Sequence, residues 1–291
     1  MKKIGFIGLG IMGSNIAYHL LKKYKNINII NRNSVNTKKF LKNFANKGKI
    51  NLFENYKELA ENSELIISCV GNDNDLKDIY FKKNKILDGV KKNTIIVDHT
   101  TASLDVTIKL FKKFRNKDAF FFDAPLSGGE IGAIEGNLAI MVGGDKKKFS
   151  TLKKYLDCYY KSIIYMGKSG NGQLAKMVNQ ICVASIIQGL AEGLNFAKKK
   201  KLNVEKLLEV VRNGAAQSWQ LENRSLTMWK NQFNFGFMNK LMLKDLKILL
   251  EESKISNIKL PITKQIKSFY LKLIKKGYSK EDTSNLIRLL K

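Results

Sequence analysis

Over its first 165 residues the chain alternates short apolar runs with segments of helical periodicity, and that alternation leaves few folds open. Runs at 3–8, 27–31, 64–70, 94–98 and 120–123 are rich in Ile, Phe and Val and read as strands. Between them, 11–23, 35–46 and 104–115 repeat apolar residues at helical spacing. Further strands are expected at 138–142 and 163–166, flanking a helix near 146–159. Repeated strand–helix units specify a mostly parallel, doubly wound sheet. From about residue 172 the pattern changes. Helical periodicity holds over 173–200 and again at 204–212, 239–253 and 261–275, with no strand signal after Met166. The expected architecture is α/β: a Rossmann-type domain over residues 1–166, then an all-α domain over 167–291. The break falls in the glycine-rich loop 167–172.

The first expected strand runs into Gly8-Leu9-Gly10-Ile11-Met12-Gly13. A G-x-G-x-x-G pattern alone is weak. Here it follows an apolar strand and opens a helix, where glycines let the backbone turn tightly and approach a pyrophosphate at the positive helix end. The residues after the next strand choose the cofactor. An NAD site usually carries Asp or Glu there for the ribose hydroxyls. This chain has Asn31-Arg32-Asn33-Ser34. With no carboxylate to repel it, a 2′-phosphate can be gripped by Arg32 and receive hydrogen bonds from Asn33 and Ser34. NADP(H) is therefore expected in preference to NAD(H).

The charge points elsewhere at first. Lys and Arg number 52 against 25 Asp and Glu, a net +27 that would suit nucleic acid or an anionic membrane. Yet the only arginines are Arg32, Arg115, Arg212, Arg224 and Arg288. Lys, Asn and Ile abound while Pro125 and Pro261 are the only prolines, the usage of an A/T-rich coding sequence. Nucleic-acid readers lean on Arg, so direct nucleic-acid binding is not expected. Cys69, Cys158 and Cys182 are far apart and form no C-x-x-C pair, which fits a reducing compartment and argues against a disulfide frame. With His19 and His99 the only histidines, no metal site is expected. The basic, apolar start imitates a signal peptide, but a helix follows directly with no small-residue cleavage site. No apolar run approaches the roughly 18 residues of a membrane span. A cytoplasmic protein is expected.

Several dehydrogenase mechanisms fail for want of residues. His19 lies in the first helix, away from the chemistry, and His99 directly follows a strand. The Tyr18-x-x-x-Lys22 pair also falls in the first helix. A lysine acid/base remains. Lys176 lies one turn into the long helix, with Asn179 and Gln180 one turn later on the same face. An amine beside an amide can protonate and hold a developing alkoxide. Either amide can serve.

These residues stand within four motifs: GLGIMG at 8–13, DAPLSGG at 123–129 continuing to Gly144, GNGQLAKMVN at 170–179, and Lys244-Asp245-Leu246 on a late helix. Taken together over essentially the whole chain, they resemble the β-hydroxyacid dehydrogenases. That family includes 3-hydroxyisobutyrate dehydrogenase, tartronate semialdehyde (2-hydroxy-3-oxopropionate) reductase and glyoxylate/succinic semialdehyde reductases, with a 6-phosphogluconate dehydrogenase-like fold. The resemblance implies that Lys176 is the catalytic lysine. It implies that Ser127, Gly128 and Gly129 hold the substrate carboxylate, and that Thr101 lies near nicotinamide and substrate. Val70 and Gly71 would lie under the cofactor ribose. Phe237 and Asp245 would be substrate contacts contributed by the α domain, with Lys244 toward the nicotinamide. Some members place the catalytic asparagine four residues after the lysine, where this chain has Gln180, so the choice between Asn179 and Gln180 stays open.

Around Ser218-Trp219-Gln220-Leu221-Glu222-Asn223-Arg224, Arg224 either meets an anionic substrate or forms a surface ion pair beside a packing Trp219. A homodimer or homotetramer is expected, because helix 173–200 is apolar on several sides and the family supports it. Lys176 argues against an imine reductase, which usually carries another proton donor there, and the short α domain argues against decarboxylating 6-phosphogluconate dehydrogenase. The expected function is an NAD(P)-dependent oxidoreductase of a small β-hydroxyacid and its semialdehyde or oxo acid. A non-catalytic NADPH-binding module with a basic nucleic-acid surface is the alternative of another class.

Overall fold

Strands with both faces covered must be apolar at every position, and this requirement dominates the first half of the chain. The computed structural model describes residues 3–290. Met1 and Lys2, the tip of the apparent leader, and Lys291 lie outside the described residues, and with them the outermost ends of the two expected domains. The chain divides into two units, Met1–Lys176 and Met177–Lys291.

In the first unit, β1 (Ile4–Ile7) leads into α1 (Ile11–Tyr24), β2 (Asn26–Ile30) into α2 (Ser34–Phe44), and β3 (Lys49–Leu52) into α3 (Tyr56–Glu61). Then come β4 (Leu65–Ser68), α4 (Asp73–Tyr80), α5 (Ile86–Gly89), β5 (Ile95–Asp98), α6 (Leu104–Arg115) and β6 (Phe120–Asp123). The strands are parallel in the order β3-β2-β1-β4-β5-β6. The chain continues through β7 (Leu126–Ser127), α7 (Gly129–Glu135), β8 (Leu138–Gly143), α8 (Lys146–Leu156) and β9 (Tyr160–Gly167). β8 runs antiparallel to β6 and β7 and parallel to β9.

Alternate residues of these strands feed two cores. Phe6, Ile29, Leu65, Ile67, Val97 and Phe122 pack with Ile16 and Leu20 of α1 and Leu152 of α8 on one face. Ile7, Ile30, Ile66, Ile96 and Phe121 pack with Leu76 and Tyr80 of α4 and Leu110 and Phe114 of α6 on the other. The strand order reverses between β1 and β4, so a crevice opens at their carboxyl ends, where doubly wound sheets bind ligands. The turn 8–13 lies there.

The second unit is helical. α9 (Asn171–Lys199) begins in the first unit and crosses into it, followed by α10 (Val204–Arg212), α11 (Trp219–Trp229), α12 (Asn239–Ile255), α13 (Pro261–Lys275) and a 3-10 stretch, Thr283–Leu290. Ile187, Leu194, Leu208, Met228, Met242, Leu246, Leu249, Ile266, Tyr270 and Leu286 are buried. Among the described residues its only β contact is one bridge, Met238 to Asp282. By length and composition α9 could cross a membrane. Its Ala184, Ile187, Ala191, Leu194 and Ala197 are buried within the protein.

The expected strands and long helices are present, with ends shifted by a few residues. Periodicity alone did not reveal β3, β7, α3, α4, α5, α7 and α11. β3 pairs only with β2 and is exposed at both ends, so it carries no apolar run. Of the helices, α3, α4, α5 and α7 span eight residues or fewer, about two turns, too short for a repeat to register, whereas α11 spans 11.

Two glycines of the turn 8–13 are fixed by sterics. Gly8 adopts φ +98°, and a Cβ there would overlap the Cys69 carbonyl oxygen. A Cβ on Gly13 would overlap the Gly8 carbonyl oxygen. A Cβ on Gly10 would meet nothing within 4 Å. Gly13→Ala should therefore lower stability in urea unfolding by more than about 3 kcal/mol. Gly10→Ala should stay within about 1 kcal/mol of the parent. Equal costs at the two positions would contradict the steric assignment.

Candidate active site

Polar residues enter this sheet at the carboxyl ends of its strands, and each ties down a loop. After β2, Asn31 Oδ1 accepts from Leu9 N (2.9 Å), which fixes the glycine turn, while its Nδ2 donates to Asn33 O and Thr37 Oγ1. Asn33 caps α2 by accepting from Asn36 N. Side-chain caps also close α3, α4, α6, α8, α10 and α11. α1 begins at Gly10 with no side-chain cap and no acidic residue in its first turn. Its first amides and the open space over Gly10 form a cradle for a diphosphate. Ile11 is exposed beside it, and Met12 packs against the core. The residues present thus fit a dinucleotide.

At β4 and β5 the ends are coupled. Ser68 Oγ donates to Asp98 Oδ1 (2.7 Å) and accepts from Tyr80 OH (2.8 Å). Thr100 N also reaches Asp98 Oδ1, and Val70 N donates to Thr100 Oγ1 (3.1 Å). Gly71 N donates to Asp75 Oδ2. Complete burial pushes the Asp98 carboxyl up to about 7, despite the stabilising bonds from Ser68 and Thr100. Its second oxygen is buried with no hydrogen-bond partner. Burial likewise drives His99 down to about 4. Its ring nitrogens are engaged by Ala124 O and Tyr159 OH. His19 is held on the Ala133 and Ile134 carbonyls. Both histidines are structural.

The end of β6 fixes the start of α9. Asp123 is fully buried, and burial pushes its carboxyl up to about 6 against the bonds it accepts from Gly170 N (2.8 Å), Gln173 N (3.1 Å) and Ser169 Oγ (3.2 Å). Gln173 is also fully buried. Its Oε1 accepts from Ala102 N (3.1 Å) and its Nε2 donates to Thr100 O (2.7 Å), so the loop bearing Thr101 is bonded to the helix bearing Lys176. Lys176 is 8% exposed, one turn further along. Ser127, ending β7, is followed by Gly128 at φ +126° and Gly129 at φ +63°. A Cβ on Gly129 would meet nothing within 4 Å, so the backbone there stands open.

In the second unit a polar chain crosses from α9 to α12. Asn179 Nδ2 donates to Gln180 Oε1 (2.9 Å), Gln180 Nε2 donates to Asp245 Oδ2 (2.6 Å), and Lys244 Nζ lies 3.1 Å from Asp245 Oδ1. Gln180 and Asp245 are buried, and Asn179 is half-buried. Gln180 is thus used at both ends of its amide. Asp245, expected among the substrate contacts, is committed to Gln180 and Lys244.

Arg224 lies 3.2 Å from Asp282 and is sandwiched between the Trp219 and Phe235 rings, 4.9 Å from each centroid. Asp282 also accepts from Phe237 N and Ser284 N. Of the two readings open for Arg224, this is the geometry of a packing ion pair, although buried where a surface one was expected. Among the described residues no His, Cys, Asp and Glu group could hold a metal, and none of the three cysteines forms a disulfide.

Sequence reasoning missed Asp75, and it gave Asp123 and Gln173 no role. An acidic residue closing an apolar strand was the available signal for Asp123. Arg32 NH1 lies 2.9 Å from Asp75 Oδ1 across 43 positions of sequence, and no local pattern announces that pair.

Comparison with known proteins identifies the family. Residues 3–167 match the family described as the NAD binding domain of 6-phosphogluconate dehydrogenase. Residues 170–290 match that described as NAD-binding of NADP-dependent 3-hydroxyisobutyrate dehydrogenase. An uncharacterized oxidoreductase of Shewanella frigidimarina is 40% identical over 290 residues, covering 100% of this chain and 98% of the relative. The 2-hydroxy-3-oxopropionate reductase of Escherichia coli is 32% identical, covering 99% and 97%. The solved structure of Mycobacterium tuberculosis 3-hydroxyisobutyrate dehydrogenase with L-serine superposes with a TM-score of 0.89 at 23% identity, covering 100% and 99%.

The raised Asp98 carboxyl has a signed consequence. A carboxyl whose folded pKa lies above its unfolded value contributes stability that is complete below about pH 4 and is lost as pH rises through about 7. Asp98→Asn removes that dependence, while Asp123 titrates in both proteins. Between pH 5 and pH 8 the variant should gain about 2 kcal/mol relative to the parent in urea unfolding. Parallel stability profiles would show that Asp98 does not bind a proton on folding.

Proposed function

The chain belongs to the β-hydroxyacid dehydrogenase family, and we propose that it interconverts a small β-hydroxyacid of the 3-hydroxyisobutyrate type with its semialdehyde or oxo acid, preferring NADP(H) to NAD(H). One observation carries this reading: Lys176 is buried on a helix whose start is bonded both to the end of β6 and to the loop of Thr101. Reduction of tartronate semialdehyde, or of glyoxylate and succinic semialdehyde, is the second reading. The name and full-length coverage of the Escherichia coli relative favour the first of these.

In this reading Gly8, Gly10, Ile11, Met12 and Gly13 hold the pyrophosphate. Asn31, Arg32 and Asn33 hold the adenosine end with its 2′-phosphate, and Val70, Gly71 and Thr101 line the ribose and nicotinamide. Lys244 keeps the cofactor contact and Phe237 the substrate contact that the family resemblance implies. The bound cofactor supplies or accepts a hydride at nicotinamide C4.

Ser127, through its hydroxyl, and Gly128 and Gly129, through backbone amides, take the substrate carboxylate. Lys176 Nζ donates a proton to the substrate oxygen during reduction and removes it during oxidation. Burial keeps water from competing for that oxygen. Asn179 supplies the amide that meets the same oxygen. Gln180 and Asp245 are assigned to positioning Asn179: Gln180 accepts from Asn179 and donates to Asp245, and a carboxylate would repel an anionic substrate. Arg224 is assigned to holding the Phe237 segment through Asp282.

The division of labour proposed is cofactor binding chiefly by residues 1–166, which also dock the substrate carboxylate, and further substrate contacts and self-association by 167–291, in a cytoplasmic enzyme. A homodimer or homotetramer is supported by α9, where Val178, Ile186 and Phe196 are exposed and Gly189 and Gly193 face open space. A second copy of the helix can approach closely there.

Lys176→Ala should retain NADPH affinity by fluorescence titration while kcat falls by roughly 10²–10⁴-fold. A variant near the parental rate would sink the lysine mechanism. An NADPH-oxidation screen over methylmalonate semialdehyde, tartronate semialdehyde, succinic semialdehyde and glyoxylate, run in reverse with 3-hydroxyisobutyrate, should give its highest kcat/KM on the 3-hydroxyisobutyrate pair. Turnover of none of them would refute the assignment.

A further inference from the structure

The expected preference for a 2′-phosphate rests on the lack of a carboxylate just after β2. The fold supplies one from elsewhere. Asp75, in the first turn of α4, points one oxygen at Arg32 NH1 (2.9 Å) and accepts from Gly71 N with the other (3.1 Å). Its side chain is 16% exposed while that of Arg32 is 79% exposed, so the carboxylate is the fixed partner and the guanidinium the mobile one. α4 is unusually acidic for this chain: Asp73, Asp75 and Asp78 fall within its eight residues, against a net charge of +27 overall. Asp73 is engaged by Ser103 N. Asp78 is paired with Lys82 and also feels Arg32. Tyr56, whose phenol is raised by burial, feels Arg32 and Asp75 in opposite senses. Arg32 thus sits among carboxylates at the place assigned to the adenosine ribose.

We propose that Asp75 is a specificity-determining residue that weakens selection of 2′-phosphorylated cofactor by neutralising part of the Arg32 charge. The inference rests on the assignment of Arg32 to the 2′-phosphate. A guanidinium has five N–H donors, so Asp75 leaves several for a phosphate. But a phosphate carries up to two negative charges, and on Arg32 it would stand within a few ångströms of a fixed carboxylate. A ribose hydroxyl brings no charge and can donate to that same carboxylate. Asp75 therefore penalises NADP(H) and favours NAD(H), against the pull of Arg32, and both cofactors remain usable.

The test needs no turnover. 2′,5′-ADP and 5′-AMP differ only by the 2′-phosphate, and the ratio of their dissociation constants on the full chain, measured by calorimetry, reads selectivity directly. Asp75→Asn, which retains an acceptor for Gly71 N, should raise selectivity for 2′,5′-ADP on the order of tenfold. Asp75→Ser should shift it the same way by a different side chain, so the result does not hang on one variant folding. Asp75→Glu, which keeps the charge, should leave it near the parental value. Arg32→Ala should collapse it toward unity. If Arg32→Ala leaves selectivity unchanged, the Arg32 assignment falls and this inference with it. If Arg32→Ala lowers selectivity while both neutral Asp75 variants leave it unchanged or lower it, Asp75 instead orients Arg32 for the phosphate, and the inference alone is overturned.

Discussion

The carboxylate of Asp123 is withdrawn completely from water and held by two backbone amides and a hydroxyl from the segment 169–173. Burying an ionisable group without partners costs several kcal/mol, so the position is tolerable only if those donors stay in place. That requirement locks the end of β6 to the first turn of α9. It also explains two glycines: a Cβ on Gly143 or Gly172 would press against the Asp123 side chain at 2.7–2.8 Å. Gln173 extends the lock to the backbone around Thr101. The position of Lys176 relative to its own sheet is therefore set by hydrogen bonds that have no slack, rather than by the packing of a long helix alone. A proton donor must be placed to within a fraction of an ångström to be useful.

Charge is handled differently inside and outside this protein. The lysine excess that dominates the composition lies on the surface. The buried charges are few, and they come with partners or are arranged to be neutral. Arg224 meets Asp282 between two aromatic rings, Lys244 meets Asp245, and the Asp98 carboxyl is pushed toward its protonated form. The net +27 thus describes the solvent-facing shell and says little about the chemistry. Lys176 stands apart from that shell, at 8% exposure.

Much of the frame was legible in the sequence because two physical signals are local. Strands buried on both faces must be apolar throughout, and amphipathic helices such as α6, α10 and α13 must repeat every three to four residues, so these helices ended where the pattern ended. The glycine turn was legible because Gly8 and Gly13 leave no room for a side chain. What stayed hidden is non-local. The choice between Asn179 and Gln180 depends on Asp245, 65 residues beyond Gln180, which takes up one end of the Gln180 amide. The reading of Arg224 depends on Asp282, and that of Arg32 on Asp75. In each case the residue type was visible and the partner was not.

One regularity joins these observations. Buried strands carry polar side chains only where partners meet them, as Asn28 does within β2, and in this sheet the carboxyl ends do so in succession: Asn31 after β2, Ser68 on β4, Asp98 on β5 and Asp123 on β6. Each holds a loop or a helix start, Ser68 doing so through Asp98. Asn31 holds Leu9, Ser68 and Asp98 hold Thr100, and Asp123 holds Gly170 and Gln173. The ligand-facing loops of a doubly wound sheet leave from these same ends, and loops are otherwise the least constrained part of a fold. The row of polar termini converts them into fixed surfaces. The order that a hydride-transfer site needs in its loops is thus supplied by four side chains bonded within the fold.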